Sequence, residues 1–304
     1  MTGAGSADLA FAKEQSLLGS LVGPNFFEPF KDPTITELEL DRALQRQRKP
    51  GAVFAVESVA QNLEGAFAVE GTVDSNRLSD VHDIVFSDPG GSVALTPGRA
   101  PSSRWYIGVD YLSATAERVP KGCVPLDFQI QYQQGGSIRC AITFAYADEE
   151  YNTSITSSSI SEANGASAEF HSADFTVDGT LQSKEQSVTF GVSNISRFQR
   201  GSDHIPVDAV IGPAEATLDL DTIITETDQL ELAYGGTGQS STSKTMSSVS
   251  GSVALSAAGS TIATYNLAGL KPATHAWNDV ISGDTDTTES VSLIAADEQA
   301  VSIT

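Results

Sequence analysis

The sequence predicts an all-β fold with one or two short helices, an antiparallel β-sandwich or barrel, and three observations carry that prediction. From residue 51 onward, apolar residues recur at every second position in run after run. Turn signals such as Gly135-Gly136 and Asp178-Gly179 separate those runs. Helical spacing is clear over one stretch alone. A chain of 304 residues with 40% hydrophobic content is long enough to bury one large core or two modest ones. No fixed-period repeat is visible, which argues against propellers and solenoids.

Taken in order, residues 1–50 read as an irregular N-terminal arm ahead of a β-domain at 51–304. Leu17, Leu18 and Leu21 before Gly23-Pro24 predict a short helix over 14–22. Ile35, Leu38 and Leu44 predict another over 34–48, stopped by Pro50-Gly51. Leu63, Phe67, Val69 and Val73 then alternate with polar or small residues as a strand. Asp74 or Ser75 is placed to cap a helix from Leu78 to Phe86, with Leu78, Val81 and Val85 on one stripe. Trp105 to Tyr111 reads as a short strand.

The strongest strand signal is a hairpin from Val124 to Tyr146. Leu126, Phe128, Ile130 and Tyr132 precede Gly135-Gly136, and Ile138, Cys140, Ile142 and Phe144 follow. Faces match only if paired numbers sum to an even value, which puts Cys140 opposite Ile130 on the apolar side. Cys123 falls about 20 Å along the ladder at about 3.3 Å per residue, so a disulfide between the two cysteines is not expected. Residues 152–167 read as loop. Strands follow around 173–177, 188–192, 214–220, 230–234, 253–255, 262–267, 291–294 and 301–303. The Ser/Gly/Thr-rich stretch 237–252 reads as a flexible loop.

Charge restricts function. Asp and Glu number 39 against 17 Lys and Arg, a net charge of −22, spread from Asp8 to Glu298 without blocks. Such a surface repels itself in dilute solution and is tolerated in concentrated salt, where the Debye length shrinks to about 3 Å at 1 M. A clamp on nucleic-acid phosphates needs a basic stripe. The chain offers one basic cluster, Arg42, Arg46, Arg48 and Lys49, read as a solvated helix end. No run reaches the roughly 20 apolar residues of a membrane span, and the N-terminus lacks the features of a secretory signal.

Catalytic and cofactor signatures are absent from the sequence. His82, His171, His204 and His275 stand apart from other metal-ligand residues, and phosphate-loop, dinucleotide and serine-elbow motifs do not occur. Asp219 and Asp221 share a strand face, which among 39 acids reads as a solvated surface rather than a hydrolytic pair. Asp148-Glu149-Glu150 reads as an exposed strand end. Asn152 and Asn194 match a glycosylation pattern that Ser/Thr-rich chains meet by chance. No enzyme, metal or cofactor is expected.

From Leu63 to Ile211 the order of elements resembles the tail tube proteins of long-tailed (siphovirus-like) viruses. The resemblance is carried by Gly122-Cys123 opening a strand, the Gly135-Gly136 turn, the alternating return strand to Phe144, the Asn194-to-Phe198 run, the Gly201 turn and the Gly212-to-Leu232 strand pair. It implies a β-sandwich with a flanking helix and a homo-oligomer of stacked hexameric rings around a channel through which viral DNA passes without specific binding. It also implies tape measure, tail terminator and baseplate proteins as partners, in a virion assembled in the host cytoplasm. On this reading the hairpin's polar face, with Asp127, Gln129, Gln131, Arg139 and Thr143, lines the channel. Arg139 is the residue least suited to it unless an acid neutralises it. The acidity points to a virus of a halophilic, archaeal host. Residues 1–50 and 237–252 have no counterpart in the resemblance; the arm, with Arg42, Arg46, Arg48 and Lys49, is read as a bridge between rings. The rival readings are a halophilic surface or carbohydrate-binding sandwich, another virion component such as a decoration or baseplate protein, and a hydrolase using Asp219 and Asp221.

Overall fold

The structure, a computed structural model, describes residues 7–42, 45–47, 50, 57–59, 62–86, 95–111, 114–151, 155, 159–280, 286–297 and 300–304. Where the sequence suggests an irregular arm with helices, strands form: β1 (Ala7–Glu14), β2 (Phe26–Phe27), β3 (Lys31–Asp41) and β4 (Gln45–Gln47). The expected helix at 14–22 is instead a turn that brings Leu21 back to bridge Glu14. The expected helix at 34–48 is extended through Asp41. Pro33 and the β-branched Thr34, Ile35 and Thr36 favour that conformation, and their neighbour in the sheet supplies the hydrogen bonds. Arg42 and Arg46 are exposed; Arg48 and Lys49 lie outside the described residues.

β5 (Glu57–Val59) pairs with β4, and β6 (Glu64–Thr72) takes β3 along its edge. Helix α1 (Leu78–Val85) follows and buries Leu78, Val81, His82, Ile84 and Val85. Asp74 works one turn earlier than a helix cap. Its Oδ1 accepts from the Asn76 amide at 2.9 Å and its carbonyl from the Leu78 amide at 3.1 Å.

Next come β7 (Ser102–Tyr111), β8 (Ala114–Lys121), β9 (Val124–Gln133), β10 (Arg139–Tyr146), β11 (Asp148–Tyr151) and β12 (Ile160–Ser161). A six-stranded sheet forms in the order β11-β8-β7-β1-β2-β12. One of its faces sends Phe11 and Trp105 into the main core, with Trp105 ring-to-ring at 5.1 Å from Phe144. The other packs Ala10, Ala12, Phe26, Tyr106 and Val119 together. In β9 and β10, Cys140 faces Ile130 as the parity argument requires. Both cysteines are buried and free.

The remainder is β13 (Ala173–Val177), β14 (Thr180–Gln182), β15 (Glu185–Ser193), β16 (Ser196–Gln199), β17 (Asp208–Ile211), β18 (Glu215–Ile223), α2 (Asp228–Tyr234), β19 (Val249–Ala257), β20 (Ser260–Asn278), β21 (Thr288–Ala295) and β22 (Val301–Ile303). The strand expected over 230–234 is helix α2. Gln229 and Leu232 are buried three residues apart, Thr227 Oγ1 bonds Glu231 at 3.0 Å, and the Gly235 amide closes the end on Glu231 and Leu232. The expected strand pair from Gly212 to Leu232 is therefore one strand and one helix. The loop expected over 237–252 ends at Ser248, because Val249 begins β19. It is exposed but tied down by Ser243 to Tyr234 and Ser247 to Gly235 amide bonds.

The main sheet runs β14-β13-β19-β20-β21-β18-β15-β9-β10-β6-β3, with β22 also on β20. Its hinge is β20, 19 residues long, which pairs with β19 up to Leu270 and with β21 from Leu270 to Asn278. Ala263, Tyr265 and Leu267 point inward, then Leu270 and Pro272, so the buried parity flips between Leu267 and Leu270. Gly269 makes the flip with φ +68°, a left-handed conformation that disfavours a side chain. Beyond it the sheet lies back over itself as a sandwich. Tyr265 meets Phe190 at 5.0 Å and Phe128 at 5.9 Å, Phe175 meets Tyr132 at 4.9 Å, and Phe86 of the segment after α1 covers Phe128 at 5.2 Å. One continuous apolar cluster fills the interior.

Candidate functional site

Among the described residues, two places where polar side chains gather bear on function. The first is the solvent side of the strands β3-β6-β10-β9-β15-β18-β21 and the second half of β20. Because the opposite face is buried, the register sets this face towards solvent, although Thr72 and Gly191 within it are themselves buried. Thr72, Arg139, Gln131, Thr189, Asp219 and Ser292 stand side by side across six strands. Glu70, Ala141, Gln129, Gly191, Thr217 and Ile294 form the next row. Thr143 and Asp127 oppose each other in a third. All five hairpin residues singled out in the sequence therefore share one face.

Its charges are sparse and mostly negative. Arg139 is neutralised by Glu70 on the next strand at 3.0 Å, a partner 69 residues away that no local pattern announces. Both side chains are over a third exposed, so the pair adds little stability. Asp219 and Asp221 are exposed on this face, and Ser187 Oγ donates to Asp221 at 2.7 Å. Gln131 donates to Gln129 at 3.1 Å. Asp148-Glu149-Glu150 is not a free strand end: Lys121 pairs with Asp148 and Glu150, and Arg118 with Glu149.

The histidines divide. His204 is exposed beside Asp203, and His171 is exposed against Phe170. His82 sits in the core, its Nε2 2.8 Å from Tyr265 Oη, and burial pushes its pKa down to about 4. His275 pairs with buried Glu289 at 2.9 Å, a contact that sequence reasoning missed because strand pairing rather than spacing creates it.

That pair adjoins the second polar place, a cleft of about 140 Å³ at the hairpin-tip end of the sandwich. A register irregularity between Glu185 and Ser187 gives rise to it. Ser187, Thr189 and Ser193 face solvent, and alternation would send Glu185 with them; the bulge turns it to the buried side instead. Glu185, Thr222 and Glu289 then form a buried row across β15, β18 and β21, with Trp277 opposite Glu289 on β20. Gln229 of α2 completes the lining, its amide nitrogen bonded to Gln182 at 3.2 Å. Burial raises the Glu185 carboxyl above the ordinary carboxylate range, an effect that a bond to its own backbone reduces.

Among the described residues no three His, Cys, Asp or Glu side chains gather as a metal centre, and no helix is long and apolar enough to cross a membrane. Asn194 is an exposed residue with positive φ, and Asn152 lies outside the described residues. Compared with known proteins, the chain matches no family model and no curated protein sequence.

Proposed function

We propose that this chain is a structural subunit of a viral tail tube, forming stacked, hexameric rings around a channel that conducts DNA, in a virus of a halophilic host. The observation that supports this reading best is a broad sheet layer, from β3 to the second half of β20, that is apolar on one side, polar on the other and open along both of those edges. Among the described residues β3 is paired along one side only, and so is β20 from Lys271 to Asn278. Long open edges invite pairing with another chain, and a ring removes them by joining the β3 edge of one copy to the β20 edge of the next. The polar face then becomes the channel wall. Asp127, Asp219 and Asp221 repel phosphate, while Gln129, Gln131 and Thr143 offer weak neutral contacts and Arg139 is held by Glu70. The chemistry of such a protein is mechanical; it needs no catalytic group.

One observation favours the rival reading of a carbohydrate-binding sandwich: Trp277, 50% exposed on the β20 edge beside His275. Negative-stain electron microscopy of protein purified in molar salt separates the two. Rings or tubes with a central channel are expected. A monomer at every salt and protein concentration overturns the tube reading.

A further inference from the structure

The residues lining the cleft at the hairpin-tip end include two whose side chains each leave one buried oxygen without a donor. Glu185 is 7% exposed and its Oε1 has no hydrogen-bond donor; Gln229 is 5% exposed and its Oε1 has none either. Both side chains line the same cleft. The Gln229 nitrogen is committed to Gln182, which leaves its oxygen as the unpaired end of the amide. Buried acceptors without donors cost roughly 1–3 kcal/mol each, and an electropositive guest in the cleft would relieve that cost.

We propose that this cleft binds a hard, oxygen-liganded divalent cation of calcium's size, with Glu185 Oε1 and Gln229 Oε1 as its innermost protein ligands.

The donor set selects the ion. Carboxylate and amide oxygens meet here with the Thr222 hydroxyl and the Glu289 carboxylate lining the same space. His275 is engaged by Glu289, and no thiol is present, so nothing favours a softer metal. Calcium accepts irregular sets of six to eight oxygens, including carbonyls and waters, whereas magnesium demands a tight octahedron and holds its own water. Net charge agrees: Glu226 and Asp228 at the mouth join Glu185 and Glu289 against Lys184 alone. The bulge is the strongest local argument, because without it Glu185 would face solvent with Ser187. Water alone could also fill the cleft, and the experiment below separates that case.

The test is calorimetric titration of the full chain with CaCl2, at constant high NaCl so that surface screening does not change. Four proteins are compared: wild type, Glu185→Gln, Gln229→Leu and the outer-face control Asp219→Asn. Glutamine keeps the shape of Glu185, removes its charge and exchanges one acceptor oxygen for a donor, and circular dichroism confirms each fold. Wild type and Asp219→Asn should show one saturable site with weaker binding of MgCl2. Both cleft variants should bind calcium about tenfold more weakly or worse. The proposal stands on that pattern alone; absence of a saturable site in wild type, or either cleft variant titrating like wild type, overturns it.

Discussion

At the scale of single residues, the core contains one ionisable pair whose behaviour can be calculated. His82 from α1 and Tyr265 from β20 bond inside an aromatic cage of Phe86, Phe128 and Phe190. Burial holds the His82 pKa at about 4 against an ordinary 6.5. The folded state therefore keeps the imidazole neutral while the unfolded chain takes up a proton as pH falls below the ordinary value. The unfolded state binds more protons in that window, so this group makes stability fall on acidification from about 6.5 towards 4, by up to about 3 kcal/mol. The double variant His82→Phe with Tyr265→Phe removes both polar partners and should cost little at neutral pH. Its urea-unfolding free energy, subtracted from wild type at each pH, should reveal that slope; an identical pH profile in the two proteins would sink the assignment.

At the scale of elements, the second half of β20 bears the proposed ring joint. Thr274 and Ala276 are exposed there, and β3, the edge it would meet, carries exposed Asp32, Glu37, Glu39 and Asp41. Replacing Thr274 and Ala276 with Glu puts like charges across that joint. The variant should keep its circular dichroism spectrum and melting curve but elute as a monomer from a sizing column at moderate salt. Assembly equal to wild type would show that the edge is not the contact. Legibility in the sequence follows the same geometry. β9 and β10 could be read with correct register from Arg139 to Thr143 because their apolar residues keep to one face, which is largely buried. β3 could not, because it buries neither face fully, contains Pro33 and is broken by two irregularities in its pairing with β6. α2 looks like a strand because Leu230 and Leu232 alternate, yet Gln229 and Leu232 are buried three residues apart and the Gly235 amide closes a helical turn on Glu231 and Leu232. The outer face was foreseeable from alternation alone. The cleft was not: a bulge at Glu185 breaks the alternation that sequence reading relies on, and Thr222, Gln229 and Glu289, which line the cleft with it, come from distant segments.

At the scale of the whole molecule, the 39 acids against 17 bases are spread over the whole chain rather than gathered at a site. Unscreened, a net charge of −22 opposes the compact state. Raising NaCl from 0.01 M to 1 M shortens the Debye length from about 30 Å to about 3 Å. The melting temperature should therefore climb with salt, and KCl should act like NaCl, because screening depends on ionic strength and not on ion identity. A melting temperature indifferent to salt would remove the case for a high-salt environment.

The double membership of β20 also governs the order of events as the chain is made. β13 finds its partner β19 only after about 75 further residues have been synthesised, and β18 waits for β21 almost as long. Until then α1 and Phe86 cover Phe128 on the inner face of β9, but Phe190 of β15 lacks Tyr265, its partner from β20. A ribosome that has released only the first two hundred residues therefore presents a half-built sheet with a wet apolar side. Closure comes in one late step, when 260–278 binds both halves at once, and that delay makes the nascent chain a natural client for chaperones.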